Sequence, residues 1–411
     1  MRLHITFSHS YAVLRRARRV PFVRPADAST SDGSLPSMAD GAPHVAGVQL
    51  PRRSVLNAAG GLGLAALAAA WGAPATRGAA PRPAAKVASP AVATTPSAVL
   101  TTVAVWPIGS FLENVAVRAD GSMLVTELNR KQLWFVPAPA TGTLVQPVLI
   151  HTFDQPPFDI QEATRDVFYV DTATFLTTHE SFLQRVDLRH WAPGMPVPVD
   201  QVLQFPAPAS SVNGSCLLAP DVLLVADSAG LIWRVDLTDN GRTATAQVWL
   251  QDPSMNPGPP MVPPQPGING IEYGKMAGFV YYTSTFQELF LRVPVDPETF
   301  NPAGAPELIA TGSLWDDFDV DEKAGAAYIT THRQNTLQRV PLDPHSGQAI
   351  QTIAGQPFDP QLAGPSDFAW GPGPQDVGSV AFLTTDGGVT APPPDGIIRP
   401  AKLLRVDLPG S

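Results

Sequence analysis

Ser211-Val212-Asn213-Gly214 opens the stretch whose reading decides the fold. After it come an apolar run at 222–226, the polar tip Asp227-Ser228-Ala229-Gly230, and Leu231-Ile232-Trp233-Arg234-Val235-Asp236. An oxygen-bearing side chain, Asn213, heads a short strand. A second strand, a polar tip and a third strand follow. The unit recurs along the chain. Phe111-Leu112-Glu113-Asn114, Gly267-Ile268-Asn269-Gly270 and Leu314-Trp315-Asp316-Asp317 each open another copy. Their third strands are read at 132–136, 289–295 and 336–342. Two less regular units begin at Asp159-Ile160-Gln161-Glu162 and at Ser366-Asp367-Phe368.

Six units at a period of roughly 40–50 residues predict an all-β fold, a six-bladed β-propeller. The last unit ends at its third strand, 402–408. Its missing outer strand is expected from residues 99–106, which precede the first unit. That N-terminal strand closes the last blade and leaves no open sheet edge. In such a ring the heads of the inner strands and the tips between second and third strands share one mouth. Glu113, Asn213, Asn269 and Asp316 are therefore expected to converge on the axis. Two carboxylates and two amides make a hard, oxygen-rich divalent metal site, of the kind Ca²⁺ prefers. The tips would supply the substrate mouth: Glu127, Phe175, His179, Asp227 and Phe286, with His332 as a residue titrating near neutrality. Trp315 either binds an apolar substrate there or seals the core. Arg234, Arg292 and Arg339, equivalent on three third strands, read as structural partners of outer-strand groups.

Composition agrees with short strands and many turns. Of 411 residues only 15% are charged, while Pro numbers 45 and Gly 33. A net charge of −9, with no basic cluster beyond about residue 100, argues against nucleic acid as a partner. A small-molecule substrate and a monomer are expected instead. The single cysteine, Cys216, excludes an internal disulfide and a Cys-rich zinc site, and its apolar neighbours mark it as core. No Gly-x-Ser-x-Gly elbow, phosphate loop or dinucleotide fingerprint is present.

Residues 1–75 read as an N-terminal extension carrying an export signal. Pro51-Arg52-Arg53-Ser54-Val55-Leu56-Asn57 precedes a weakly apolar stretch from Ala58 to Trp71, which ends at Gly72-Ala73-Pro74-Ala75. The pair Arg52-Arg53 resembles a twin-arginine motif, with Val and Asn where Phe and Lys are usual. At about 14 residues the apolar stretch is too short to span a membrane. A start at Met38 would put the arginine pair at a normal depth. Residues 76–98, rich in Ala, Pro and Thr, read as a linker, and 99–411 as the propeller. The periplasm or the exterior is the expected location.

At its repeated motifs the chain resembles the senescence-marker-protein/gluconolactonase/luciferin-regenerating-enzyme-like family. Glu113, Asn213, Asn269-Gly270 and Asp316, with Asp321 five residues on, stand where that family has its pattern. The resemblance covers about residues 99–408. It departs at Glu113-Asn114-Val115, where Glu-Gly-Pro is usual, and at Asp316-Asp317-Phe318, where Asp-Gly is usual. It implies a divalent cation in the tunnel acting as a Lewis acid on a lactone or ester. It also implies Asp316 as ligand and candidate base; His332 is the other candidate base. Paraoxonases share the propeller plan and use the residue after the last Asp, where Asp317 stands. A binding module with a structural cation, or a non-hydrolytic natural-product cyclase or lyase, are the alternatives.

Overall fold

Short runs of β-branched and aromatic residues, broken by Gly, Asn and Asp turns, fold locally into four-stranded up-and-down meanders. The computed structural model describes residues 98–140, 142–174, 180–258 and 266–408. The first blade contains β2 (Leu112–Val117), β3 (Met123–Glu127), β4 (Gln132–Val136) and β5 (Val148–Thr152); β1 (Val99–Ile108) precedes it. The second contains β6 (Pro157–Thr164), β7 (Val167–Ala173), β8 (Ser181–Asp187) and β9 (Val199–Gln204). The third contains β10 (Val212–Ala219), β11 (Val222–Asp227), β12 (Leu231–Thr238) and β13 (Thr243–Gln251). The fourth contains β14 (Ile268–Gly274), β15 (Phe279–Ser284), β16 (Leu289–Pro294) and β17 (Glu307–Thr311). The fifth contains β18 (Phe318–Asp321), β19 (Ala326–Thr331), β20 (Thr336–Pro341) and β21 (Gln351–Gly355). The sixth contains β22 (Pro365–Trp370), β23 (Val380–Thr385) and β24 (Pro400–Asp407).

The sixth sheet has the order β1-β24-β23-β22, so the N-terminal strand completes the C-terminal blade. Pairing is antiparallel and runs from Val99 opposite Asp407 to Ile108 opposite Pro400. The expected closure is observed, and the fold is a six-bladed β-propeller. Among the described residues no helix is long and apolar enough to cross a membrane. The export signal and the linker lie outside the described residues.

The core lies between neighbouring blades. Leu224, Ala226 and Ile232 of the third blade meet Ile268, Val280 and Tyr282 of the fourth in one apolar cluster. Cys216 belongs to that cluster and is buried, as its neighbours suggested. At the closure, Trp106 of β1 packs edge-on to Trp134 of β4, ring centroids 6.0 Å apart. The three equivalent arginines bond within the protein, but only Arg292 reaches the outer strand as expected. Arg292 pairs with Glu307 of the outer strand at 2.8 Å, Arg234 with Asp236 at 2.9 Å, and Arg339 donates to the Ala324 carbonyl.

Candidate functional site

The inner strands lose regular pairing at one equivalent place. The interruptions fall at Leu112/Val115, Pro157/Asp159, Val212/Ser215, Ile268/Ile271 and Pro365/Phe368. In a regular strand successive side chains face opposite ways. At a bulge two successive residues turn toward the same side. In the first three blades the interruption brings both neighbours to the tunnel, the first to one chamber and the second to another. Glu113, Phe158, Asn213, Asn269 and Asp316 line an upper chamber. Asn114, Asp159, Gly214 and Asp317 line a lower one. Glycine is needed after the two asparagines because adjacent inner strands approach closely. A Cβ on Gly270 would lie 2.7 Å from Asp317 Oδ1, and one on Gly214 would lie 2.8 Å from the Asn269 carbonyl oxygen.

In the first, fourth and sixth blades a threonine near the end of the second strand holds the bulge, whereas Ala226 stands at that position in the third. The Asn114 N–H donates to Thr126 Oγ1 at 2.9 Å, and the Gly270 N–H to Thr283 Oγ1 at 3.0 Å. The same hydroxyls reach the next blade. Thr283 Oγ1 donates to the Asp316 carbonyl at 2.9 Å, Thr330 Oγ1 to that of Ser366 at 2.7 Å, and Thr384 Oγ1 to that of Glu113 at 3.1 Å. These stitches tie fourth blade to fifth, fifth to sixth and sixth to first, so this part of the chamber floor is fixed by hydroxyl–carbonyl bonds between blades.

On that floor three predicted ligands form one hydrogen-bonded chain. Asn213 Nδ2 donates to Asn269 Oδ1, and Asn269 Nδ2 donates to Asp316 Oδ1 and to Thr285 Oγ1. Glu113 lines the same chamber. Two oxygens there, Glu113 Oε2 and Asn213 Oδ1, are buried with no hydrogen-bond partner. Buried acceptors without donors are costly, and a cation is the natural partner for both. Among the described residues no three His, Cys, Asp or Glu side chains make a metal cluster. The donor set here has only two carboxylates completed by amides, as a hard cation tolerates.

His332 sits over this floor. Its Nε2 is 3.1 Å from Asp386 Oδ2 and 3.2 Å from Thr390 Oγ1, and its Nδ1 is 3.7 Å from Asp316 Oδ2. The Phe111 ring lies against the imidazole, centroids 5.3 Å apart. Asp386 is fully buried and accepts from the Gly388 and Thr390 N–H groups. Burial alone would lower the His332 pKa, but the Asp386 carboxylate overrides it and raises the value. Burial would likewise raise Asp386, whereas its imidazole partner and the N–H donors hold it below the ordinary carboxylate range. Burial pushes Asp316 up to about 6, against the pull of His332 and Asn269. Burial, then repulsion from Asp316 and Asp386, raises Glu113 well above its usual value. Positive charge at the floor would reverse both of these last two effects.

Several mouth expectations are corrected. Glu127 is fully buried and bonds Arg130 and Trp134 Nε1, the latter at 2.9 Å. Asp227 is its counterpart, accepting from the Ser210, Ser211 and Ala229 N–H groups and from Trp233 Nε1. Both acids stabilise tips from within and do not face a ligand. Phe286 is half-buried against Gly258, away from the chamber lining. Asp317 lines the lower chamber, with Glu272, Asp319 and Asp367, because the residue after Asp316 points down the tunnel. Trp315 is fully buried in the core and donates from Nε1 to Gln338 at 2.9 Å. Phe175 and His179 lie outside the described residues. The sequence places Asp386 at a mouth tip, Thr385-Asp386, without pairing it to His332; Thr390 and Arg333 were not singled out. The pairing of that acid with the histidine exists only in space and leaves no local signal.

No family model and no curated protein matches the chain. Solved structures match it as folds. A luciferin-regenerating enzyme shares 11% identity over 76% of this chain and 97% of its own, with a TM-score of 0.54. A structural-genomics protein of unknown function from Bacteroides thetaiotaomicron shares 12% identity over 76% of both chains, TM-score 0.53. The PQQ-bound aldose sugar dehydrogenase of Streptomyces coelicolor shares 13% identity over 77% of this chain and 100% of its own, TM-score 0.50. At these identities the likeness is one of fold, and different chemistries use it.

Proposed function

We propose that this chain is an exported, divalent-cation-dependent hydrolase of lactones or related esters, with Ca²⁺ as the cation. The observation that carries the reading is the floor itself. It combines two buried, unpartnered oxygens of Glu113 and Asn213, the chain Asn213–Asn269–Asp316, and a histidine above them. Glu113, Asn213, Asn269 and Asp316 would hold the cation. When bound, it polarises the carbonyl of the substrate as a Lewis acid. The remaining work falls to His332. Asp386 accepts the Nε2 proton, which fixes the tautomer and leaves Nδ1, the nitrogen facing the floor, to take a proton from water. Water oxygen bonds to the carbonyl carbon, the ring C–O bond breaks, and the proton passes to the departing alkoxide. Arg52-Arg53 supports export, and a small-molecule substrate and a monomeric state are part of the same reading.

The test is the metal content of the purified mature protein, with turnover of a lactone and aryl-ester panel before and after chelation. Activity lost on chelation and restored by Ca²⁺ is expected. Asp316→Ala should lower Ca²⁺ affinity and the calcium-dependent gain in Tm together, because an ion that binds only the folded state stabilises it. A metal-loaded protein that turns over none of the panel overturns the hydrolase reading in favour of a binding module.

A further inference from the structure

The wall above the floor is apolar. Phe111, Leu128, Phe158, Pro266 and Leu314 line it, contributed by three blades and the segment before β14. Its two threonine hydroxyls are already engaged. Thr285 Oγ1 donates to the Trp315 carbonyl at 2.7 Å and accepts from Asn269 at 2.9 Å. Thr390 Oγ1 is bonded to Asp386 at 2.9 Å and to His332 at 3.2 Å. His332 is held between Asp386 and Asp316, and Arg333 has its own interaction within the protein. A ring carrying several hydroxyls needs a protein partner for each one it buries, and an unmatched hydroxyl weakens binding. This wall offers carbon where a polyol needs donors and acceptors.

From this we infer that the substrate is a lactone or ester with an apolar substituent, its carbonyl on the polar floor and its alkyl or aryl part along the Phe111–Leu128–Phe158–Leu314 wall. Hydroxyl-rich sugar lactones are excluded as good substrates. The inference rests on the hydrolase reading of the same chamber and names its substrate class. Leu128 and Leu314 are half-buried, so their outer surfaces remain available to a ligand. Phe111, its ring tilted against His332, brings the apolar wall to the edge of the reacting centre.

The experiment uses the Ca²⁺-loaded protein and γ-lactones whose alkyl substituent grows from none to octyl, beside a polyhydroxylated γ-lactone. The value of kcat/KM should rise about threefold to fourfold for each of the first few methylenes, the ratio expected from burying a CH₂ group. The polyhydroxylated ring should fall at least about tenfold below the butyl compound. Leu314→Asn, or Leu128→Asn should the first fail to fold, should flatten the chain-length slope and leave Ca²⁺ affinity unchanged. A flat slope in the wild type, or preference for the hydroxylated ring, overturns the inference and leaves hydrolysis standing. Binding of the matching alkyl γ-lactams, followed by calorimetry, separates the two questions. If no lactone is hydrolysed but lactam affinity climbs with chain length, the apolar class stands and the hydrolase reading falls. If lactam affinity does not climb, the inference falls as well.

Discussion

At the scale of single residues, His332 and Asp386 are separable from the metal ligands. His332 does not belong to the Asn213–Asn269–Asp316 chain. His332→Gln should therefore keep the cation and lose about 10²–10⁴-fold in rate, the usual worth of a general base. Asp386 acts through the imidazole, whose pKa its carboxylate raises. Asp386→Asn removes that raising influence, so the imidazole deprotonates at lower pH. The acidic limb of the kcat/KM profile should move to lower pH while kcat falls, because the tautomer is no longer fixed. An unmoved limb would show that the titrating group is another. The residue scale also separates look-alikes. Glu127 and Asp227 stand at tips as a ligand-binding acid would, yet each is bonded to a tryptophan indole N–H and turned inward.

At the scale of elements, β1 carries the closure. It pairs along its length with β24 and fills the groove between the sixth and first blades. Trp106 is 2% exposed and packs on Trp134. Trp106→Ala should cost about 3–5 kcal/mol by cavity formation, read from urea unfolding at unchanged slope. Trp106→Phe should cost clearly less, because the indole Nε1 is buried without a hydrogen-bond partner and its loss removes an unsatisfied donor. Equal costs for the two changes would mean that the indole is bonded in solution. The periodic threonines belong to this scale too. Thr283, Thr330 and Thr384 each reach a carbonyl of the next blade, so one residue type recurring at a strand end sets the spacing of the floor from the fourth blade round to the first.

For the molecule as a whole, the tunnel is lined with acid at both levels. In the lower chamber burial drives Asp159 and Asp319 up to about 7, despite hydrogen bonds from Ser215 to the first and from the Trp370 and Val320 N–H groups to the second. Their folded pKa values exceed the unfolded value near 3.8. The stability they contribute is then complete below that unfolded value and is lost as pH rises through about 7. The loss approaches about 1.4 kcal/mol per pH unit for each group inside that window. Metal-free protein should melt at a higher temperature at pH 5.5 than at pH 8. Asp159→Asn should flatten the difference. A Tm that instead rises steadily across this window would show that these carboxyls are solvated in the folded state.

The fold was legible because a propeller is a local pattern repeated. Alternating apolar residues, polar tips and third strands ending in Arg-Val or Phe-Val specify each meander within about fifty residues, and six such units with a stray strand at 99–106 leave one economical closure. The inward-facing residues Glu113, Asn213, Asn269 and Asp316 were legible for the same reason, since equivalent positions in equivalent blades must approach one axis. What lay beyond the sequence were contacts between blades that no period encodes. Asp316 and Asp317 both pair with Thr330 of the second strand, and the first lines the upper chamber while the second lines the lower. The return of the last blade's long tip decides that Asp386 and Thr390 meet His332, 54 and 58 residues away along the chain. Side-chain direction at an irregular strand depends on hydrogen bonds made across the ring, and those exist only once the ring has closed.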